Sequence, residues 1–343
     1  MLDRPRPAAP ELVDPFGRSI RYLRVSVTDR CDMRCVYCMA PEMTFLPPRE
    51  VLSFEELDRL CDAFIEQGVR RLRITGGEPL VRPGVVDFMH RLGARLGAPD
   101  GEPGLDELTL TTNASRLARH AAELYRAGVR RINVSLDSLD PERFRRITRT
   151  GRLQATLDGI AAARSEGMAI RINTVAMRDT NEDEFDGLIE WCGRIGADLC
   201  FIETMPMGDV GEDRTDRFLP LSEVRRRLSA RWTLEPVTHR SGGPARYERV
   251  AETGRRLGFI TPMSHNFCES CNRIRLSCTG TLYMCLGQDD AADLRAPLRA
   301  GASRTELVAA IREAIGRKPK GHDFVIGRNG GPAVARHMSA TGG

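Results

Sequence analysis

Two hydrophobic periods take turns along the chain between residue 21 and about residue 205. Short runs in which apolar and other residues alternate predict strands, at residues 21–28, 72–75, 108–112, 131–135, 169–175 and 198–203. Between the strands, segments with the period of a helix predict helices, at residues 53–69, 84–96, 115–127, 140–148, 153–166 and 181–194. This regular alternation requires parallel strands joined by right-handed crossovers.

Six strand–helix units fall short of the eight in a complete (β/α)8 barrel. We therefore predict an α/β fold with an incomplete (β/α)6 TIM-type barrel that is open on one side. The pattern changes beyond Pro206, where helices are predicted at residues 221–229 and 304–316 around a cysteine-bearing region. The predicted divisions are a flexible leader at 1–15, the partial barrel at 16–218, a C-terminal region at 219–330 and a tail at 331–343.

The composition narrows the classes of protein that the chain can belong to. Hydrophobic residues make up 41% and aromatic residues 6%, which is typical of a soluble α/β protein. No apolar run approaches the ~18 residues that a membrane span needs, and the N-terminus lacks an apolar signal core, so we predict a cytoplasmic protein. A net charge of +4 is too mild to indicate nucleic acid. Only Lys318 and Lys320 are lysines among 51 basic residues, so phosphate-binding positions must be arginines.

Three cysteines directly after the first predicted strand are the strongest chemical signal in the sequence. Cys31, Cys35 and Cys38 have the spacing CxxxCxxC, which folds three thiolates around one centre within a single loop. A cubane Fe–S cluster has four irons, so three thiolates leave one iron open for chemistry. A zinc knuckle is the alternative, but zinc knuckles favour CxxC pairs.

A second cysteine group lies in the C-terminal region, at Cys268, Cys271, Cys278 and Cys285. Four thiolates would form a tetrahedral zinc site. Alternatively, three of them, at 268, 271 and 285, would hold a second cluster with an open iron. The spacing fits both interpretations about equally. The basic run Asn272-Arg273-Ile274-Arg275 lies directly after Cys271, which favours an anionic ligand at the rim of the site.

Other candidate residues follow the predicted strands to the same end of the barrel. The turn at residues 76–79 begins with two glycines, which permit close approach of the backbone to a ligand, although the sequence by itself favours an ordinary turn between strand and helix. Arg24, Arg73 and Arg171 lie in strands that lead to the same mouth. Strand arginines are usually solvated or paired across a sheet, so their shared location is what makes them candidates.

Taken together, these motifs resemble a known family. The CxxxCxxC loop, the strand-end Gly-Gly-Glu-Pro and the parallel strand–helix series are similar to the radical S-adenosylmethionine (SAM) superfamily. Four blocks and the Gly342-Gly343 end further resemble the GTP 3′,8-cyclase family of molybdenum cofactor biosynthesis, at residues 27–31, 73–80, 202–208 and 267–275. The similarity extends from residue 16 to residue 343.

The resemblance implies two 4Fe–4S clusters and SAM as cofactors, with GTP as substrate. The implied cluster ligands are Cys31, Cys35 and Cys38 for the first cluster and Cys268, Cys271 and Cys285 for the second, which closes the open side of the barrel. The implied SAM-site residues are Tyr37, Gly77, Ser135 and Met205. The implied GTP-site residues are Arg24, Arg73, Thr111, Arg171, Arg273, Ile274 and Arg275.

The implied reaction is removal of the ribose 3′ hydrogen of GTP by a SAM-derived radical, followed by bonding of C3′ to guanine C8 to give 3′,8-cyclo-7,8-dihydro-GTP, the first step of molybdopterin synthesis. We expect a homodimer, an electron donor such as flavodoxin or ferredoxin, and transfer of the product to cyclic pyranopterin monophosphate synthase. Neither a membrane nor nucleic acid is expected as a partner. The alternatives are a peptide-modifying radical SAM enzyme with an auxiliary cluster and a non-catalytic zinc-binding protein.

Three positions depart from the family pattern. Arg171 stands where a lysine is usual, which keeps the charge but changes its reach. Cys200 stands where an arginine is common, so one polar contact is lost. Cys278 is an additional thiol between two implied ligands, and it leaves the identity of the third ligand open.

Overall fold

Six parallel strands form the centre of the fold in the computed structural model, which describes residues 11–99, 102–211, 214–239, 241–265, 267–325, 327 and 332–342. They are β1 (Tyr22–Ser26), β2 (Arg71–Thr75), β3 (Glu107–Thr112), β4 (Arg131–Ser135), β5 (Ala169–Ala176) and β6 (Asp198–Glu203). Each strand pairs with the next one in sequence. The six predicted strands are confirmed, as is the parallel arrangement.

Helices connect these strands and cover the outer face of the sheet. They are α1 (Phe54–Glu66), α2 (Val85–Gly93), α3 (Ala121–Arg126), α4 (Pro141–Thr148), α5 (Leu153–Ser165) and α6 (Phe185–Ile195). The helix predicted at 115–127 is the least regular, because a 3-10 turn at Leu117–Arg119 precedes α3. In α1, Ser53 and Glu56 form a reciprocal capping box, which fixes where the helix begins.

The C-terminal region adds strands to both edges of the barrel sheet. Its elements are α7 (Arg214–Arg217), α8 (Leu221–Leu228), β7 (Leu234–Pro236), β8 (Arg246–Val250), β9 (Arg256–Ile260), β10 (Arg273–Leu276), β11 (Thr281–Tyr283), β12 (Ala291–Asp293), α9 (Arg295–Arg299), α10 (Arg304–Gly316) and α11 (Met338–Thr341). Strand β10 pairs in parallel with β1, and β9 pairs in parallel with β6. Within the described residues, one sheet has the order β12-β11-β10-β1-β2-β3-β4-β5-β6-β9-β8-β7.

The boundary predicted for the flexible leader requires a correction. Leu12 is buried in the core, and its amide donates to the carbonyl of Gln67. Asp14 and Arg18 form a buried ion pair at 2.5 Å. Packing against the barrel therefore begins by residue 12, inside the predicted leader, while residues 1–10 lie outside the described part of the chain.

Side chains of the central strands alternate between two environments, as the two-residue period of a strand requires. Leu23, Val25, Leu72 and Ile74 belong to the hydrophobic core beneath the helices. The residues between them, such as Arg24, line the interior of the barrel. In the described ranges no helix is both long enough and apolar enough to cross a bilayer.

Candidate active site

The inward-facing strand residues meet in one cavity, and strand register explains why they meet. Arg24 on β1 lies opposite Arg73 on β2 and opposite Arg275 on β10. All seven residues predicted to contact GTP line this cavity: Arg24, Arg73, Thr111, Arg171, Arg273, Ile274 and Arg275. The structure therefore brings together side chains that are up to 251 positions apart in the sequence, from Arg24 to Arg275.

Four of the cavity arginines are deeply buried, at 8% exposure for Arg24, 4% for Arg73, 5% for Arg171 and 8% for Arg275. Burial, with a contribution from Arg275, lowers the pKa of Arg24 to about 9, so the side chain is still charged at neutral pH. Within the described ranges, none of the four pairs with a carboxylate. A group of buried cations without counterions is costly unless an anion binds among them.

Other buried polar groups in this interior also lack partners among the described residues. They are the Thr111 hydroxyl, the side-chain amide of Asn133, the side-chain oxygen Oδ1 of Asn173, the Thr204 hydroxyl and the Arg24 Nε. Native proteins satisfy nearly all buried polar groups, so such a concentration indicates a polar ligand. Asn133, Asn173 and Thr204 were not predicted from the sequence. Asn133 and Asn173 are polar residues at inward-facing positions of predicted strands, and Thr204 directly follows a predicted strand.

Arg171 reaches the neighbouring edge of the sheet, where its Nη1 donates to the Tyr247 hydroxyl at 2.5 Å. Cys200, which stands where an arginine is common, is fully buried and does not line the cavity. A Cβ on Gly258 would lie 3.0 Å from its sulfur, so β9 packs closely against it. Cys200 lies opposite Asn173 on the inward face of β6, where burial raises the pKa of its thiol to about 11 and the positive charges of Arg171 and Arg73 oppose that rise.

The first cysteine loop is fastened to the end of α4. The Arg34 amide donates to the Thr148 carbonyl at 2.8 Å, and the Val36 amide donates to the Ile147 carbonyl at 3.0 Å. Arg149 Nη1 donates to the Met39 carbonyl at 3.0 Å. These bonds hold the loop in position without using any of its thiols.

The thiols of this loop fit a cluster better than they fit an ordinary core. The Cys31 sulfur accepts from the Met33 amide at 3.4 Å and from Asn113 Nδ2 at 3.8 Å, which are the hydrogen bonds that cluster thiolates take. Burial and Asp137, followed by the charges of Cys38 and Cys31, raise the pKa of Cys35. Thiols that oppose each other's ionisation in this way need a cation to become thiolates together.

Three of the four predicted SAM-site residues line the cavity: Tyr37, Ser135 and Met205. Gly77 does not. A Cβ at this position would lie 2.4 Å from the Arg30 carbonyl, so close packing of two loops accounts for the glycine. Glu78 is fully buried and accepts from the Leu80 amide, the Thr112 hydroxyl and the Asn113 amide.

The structure separates the second cysteine group into three and one. Cys268, Cys271 and Cys285 line the cavity, whereas Cys278 does not. Cys278 is buried elsewhere, where burial and Asp29 raise its pKa to about 12 and Arg82 opposes that rise. This division fits three-thiolate ligation and does not fit four cysteines around one zinc ion.

Among the described residues, no group of three or more His, Cys, Asp or Glu side chains is arranged to hold a single metal ion. This finding does not bear on a cubane, whose thiolates bind different irons. The second group nevertheless has the charges that a cluster requires. Burial would raise the pKa of Cys271, but Arg273 and Lys318 lower it to about 7, which favours the thiolate. Lys318 was not predicted from the sequence, where its signal was a rare lysine just beyond a predicted helix.

The C-terminal tail enters the barrel beside the arginines. Arg275 donates to the carbonyl of Gly342, which has a φ of 76°. A Cβ on Gly342 would lie 2.1 Å from Cγ2 of Thr75, so the position requires glycine on grounds of both space and backbone conformation. Gly343, the other half of the predicted double-glycine end, lies outside the described residues.

Two family models match the chain. Residues 25–192 match the Radical SAM superfamily, and residues 197–324 match Molybdenum Cofactor Synthesis C. The sequence is 62% identical over 333 residues to the GTP 3′,8-cyclase of Rhizobium etli (strain CIAT 652), which covers 97% of this chain and 94% of that protein. It is 61% identical to the GTP 3′,8-cyclase of Paracoccus denitrificans (strain Pd 1222) over 97% of this chain and 96% of that protein.

Solved structures support the fold. Streptococcus suis SuiB bound to S-adenosylmethionine aligns with a TM-score of 0.60 over 95% of this chain and 78% of that chain, at 15% identity. A second structure of Streptococcus suis SuiB aligns with a TM-score of 0.58 over 87% of this chain and 69% of that chain. At this level of identity the similarity concerns the fold alone.

Proposed function

Because this chain belongs to the GTP 3′,8-cyclase family of the radical SAM superfamily, we propose that its cavity binds GTP beside SAM and joins ribose C3′ to guanine C8. The observation that carries this assignment is a group of buried arginines to which the described residues offer no carboxylate partner: Arg24, Arg73, Arg171 and Arg275. A triphosphate supplies the missing negative charge, and guanidinium groups bind phosphate oxygens bidentately.

The contribution of the protein is placement of the reactants. Family membership implies a 4Fe–4S cluster and SAM, and the residues that would hold the cluster are Cys31, Cys35 and Cys38. When bound, the cluster and SAM together supply the 5′-deoxyadenosyl radical that removes the ribose 3′ hydrogen. The arginines fix the phosphate end of the substrate, and the covered barrel excludes water and other hydrogen donors.

We propose that Cys268, Cys271 and Cys285 hold a second 4Fe–4S cluster. Support comes from their shared position on the cavity wall and from the two cations beside Cys271, Arg273 Nη2 and Lys318 Nζ, each 3.9 Å from its sulfur. Three ligands would leave one iron open toward the cavity, where the guanine base of GTP is the expected partner.

Replacing Cys285 with Ala is expected to remove about half of the bound iron, because a cubane becomes unstable when one of its three cysteine ligands is removed. Cys278→Ala is the matched control and is expected to retain the iron content of the unmodified chain. Metal analysis of both purified variants checks this pair. Equal losses would instead indicate a site that uses all four cysteines.

The arginines provide the direct test of the proposed substrate. Arg24→Ala, Arg73→Ala and Arg171→Ala are each expected to weaken GTP binding by about tenfold or more, since a charge-assisted hydrogen bond contributes roughly 1.5–3 kcal/mol. Equilibrium binding of GTP under anaerobic conditions measures the effect. Arg226→Ala, an exposed arginine of α8, is the control. Unchanged affinity in all three cavity variants would remove the assignment of the triphosphate site.

The remaining expectations follow from family membership and stay proposals. They are a cytoplasmic homodimer, a flavodoxin or ferredoxin as electron donor, and cyclic pyranopterin monophosphate synthase as recipient of the product. The peptide-modifying alternative is disfavoured, since the relatives that this chain matches at 61–62% identity are GTP 3′,8-cyclases. The zinc-binding alternative is disfavoured by the separate location of Cys278.

A further inference from the structure

Lys318 is a buried lysine beside the second cysteine group. Lys318 is 2% exposed, and its Nζ donates to the Met284 carbonyl at 2.7 Å. The same Nζ lies 3.9 Å from the Cys271 sulfur. Basic positions elsewhere in this chain are arginines, apart from Lys320. Lysine is therefore used where a compact charge must fit between a carbonyl and a sulfur.

The segment that carries Lys318 is held in place from outside the cavity. Arg18 donates to the Cys268 carbonyl at 2.6 Å, to the Lys320 carbonyl at 2.8 Å and to the Pro319 carbonyl at 2.7 Å. Arg18 is in turn fixed by its buried ion pair with Asp14. One guanidinium therefore ties the residues that follow Lys318 to the first cysteine of the second group.

Close packing on the other side completes this arrangement. A Cβ on Gly321 would lie 3.1 Å from Cβ of Cys268 and 3.3 Å from its sulfur. The backbone at residues 318–321 therefore lies directly against the cysteine group. In the described part of the chain, Lys318 forms no ion pair with a carboxylate, so the thiol sulfurs are the nearest groups that can carry a compensating negative charge.

We propose that Lys318 is a positioning residue of the second cysteine site, where it holds a fixed positive charge against the Cys271 thiolate and favours the reduced state of the cluster. This inference rests on the second cluster of the proposed function. Reduction adds one negative charge to the cluster, and a nearby buried cation stabilises the more negative state. Replacing that cation by a neutral side chain must then make the midpoint potential more negative.

The test uses the full chain with Cys35→Ala, so that the second cluster is observed by itself. Into this chain are introduced Lys318→Met, which removes the charge with little change in length, and Lys318→Arg, which keeps the charge. Lys320→Met is the matched control, since this exposed lysine contributes only its backbone carbonyl to the contacts above. Iron content and the midpoint potential from an anaerobic redox titration followed by electron paramagnetic resonance are measured for each protein.

The expected result is a more negative midpoint potential, or loss of the cluster iron, in Lys318→Met, with Lys318→Arg closer to the parent chain and Lys320→Met identical to it. Equal potentials and iron contents in Lys318→Met and the parent would overturn the role of Lys318 while leaving the second cluster in place. Equal losses of iron in Lys318→Met and Lys318→Arg would show that the site needs the shape of the lysine and not its charge, and would overturn the proposal. A parent chain without iron would overturn the second cluster itself, and the role of Lys318 with it.

Discussion

Cys35→Ala is expected to abolish formation of 5′-deoxyadenosine from SAM while about half of the iron remains bound. Cys35 is the central thiol of the first loop, and the pKa of its buried thiol responds to both Cys31 and Cys38. Loss of this ligand leaves two thiolates, too few to hold a cubane with one open iron. The second cysteine group lies in a separate part of the chain and makes no use of this loop. Anaerobic incubation with SAM and dithionite, with iron analysis of the same sample, measures both effects.

The matched control is Cys61→Ala, which removes a buried thiol from the core face of α1. This variant is expected to lose some stability, because a small cavity forms, and to keep full cleavage of SAM. Continued production of 5′-deoxyadenosine by Cys35→Ala would show that the first loop is not the site of SAM cleavage.

Gly342→Ala is expected to reduce GTP cyclisation by about tenfold or more with little change in iron content. The new Cβ would meet the side chain of Thr75 at 2.1 Å, and a φ of 76° is unfavourable for alanine. The tail must then shift, and its carbonyl loses the bond from Arg275. A charge-assisted bond of this kind contributes roughly 1.5–3 kcal/mol, which sets the expected magnitude. The rate of cyclisation under saturating GTP and SAM is the measurement.

Gly301→Ala is the control for the backbone penalty of alanine at positive φ, as opposed to the clash with a neighbouring side chain. Gly301 has a similar φ of 84° but open space around it. It carries the backbone penalty without the clash and is expected to cyclise GTP normally. If Gly342→Ala also cyclised GTP at the rate of the unmodified chain, the buried tail would have no part in the reaction.

The sequence was sufficient for the central barrel because its strands and helices have strong periods. Each inward-facing arginine could be located from the alternation of its strand, and parallel order then placed Arg24 beside Arg73. Short strands do not show a recognisable hydrophobic period. The three-residue strands β7, β11 and β12 contain too few residues to display a period, so the extension of both sheet edges was not predictable from the pattern.

Contacts between distant parts of the chain were also beyond the sequence. Arg18 and Cys268 are separated by 250 positions, and only the folded chain shows that one holds the carbonyl of the other. Asp14, at the start of this connection, lies within the predicted leader. Gly77 stays a predicted SAM-site residue, and the structure adds that a Cβ at this position would lie 2.4 Å from the Arg30 carbonyl oxygen.

The most direct measurement uses GTP that carries deuterium at ribose C3′. The product is an isomer of unlabelled GTP, because one electron and one proton replace the hydrogen atom that leaves C3′, so it is identified by loss of the deuterium and by its separation from GTP. The purified protein is incubated anaerobically with labelled GTP, SAM and dithionite, and the nucleosides are separated by chromatography before mass analysis. We predict 5′-deoxyadenosine that is heavier by one deuterium, together with a new nucleotide that is separable from GTP. Unlabelled 5′-deoxyadenosine and unchanged GTP would contradict the assignment of this cavity as a GTP 3′,8-cyclase site.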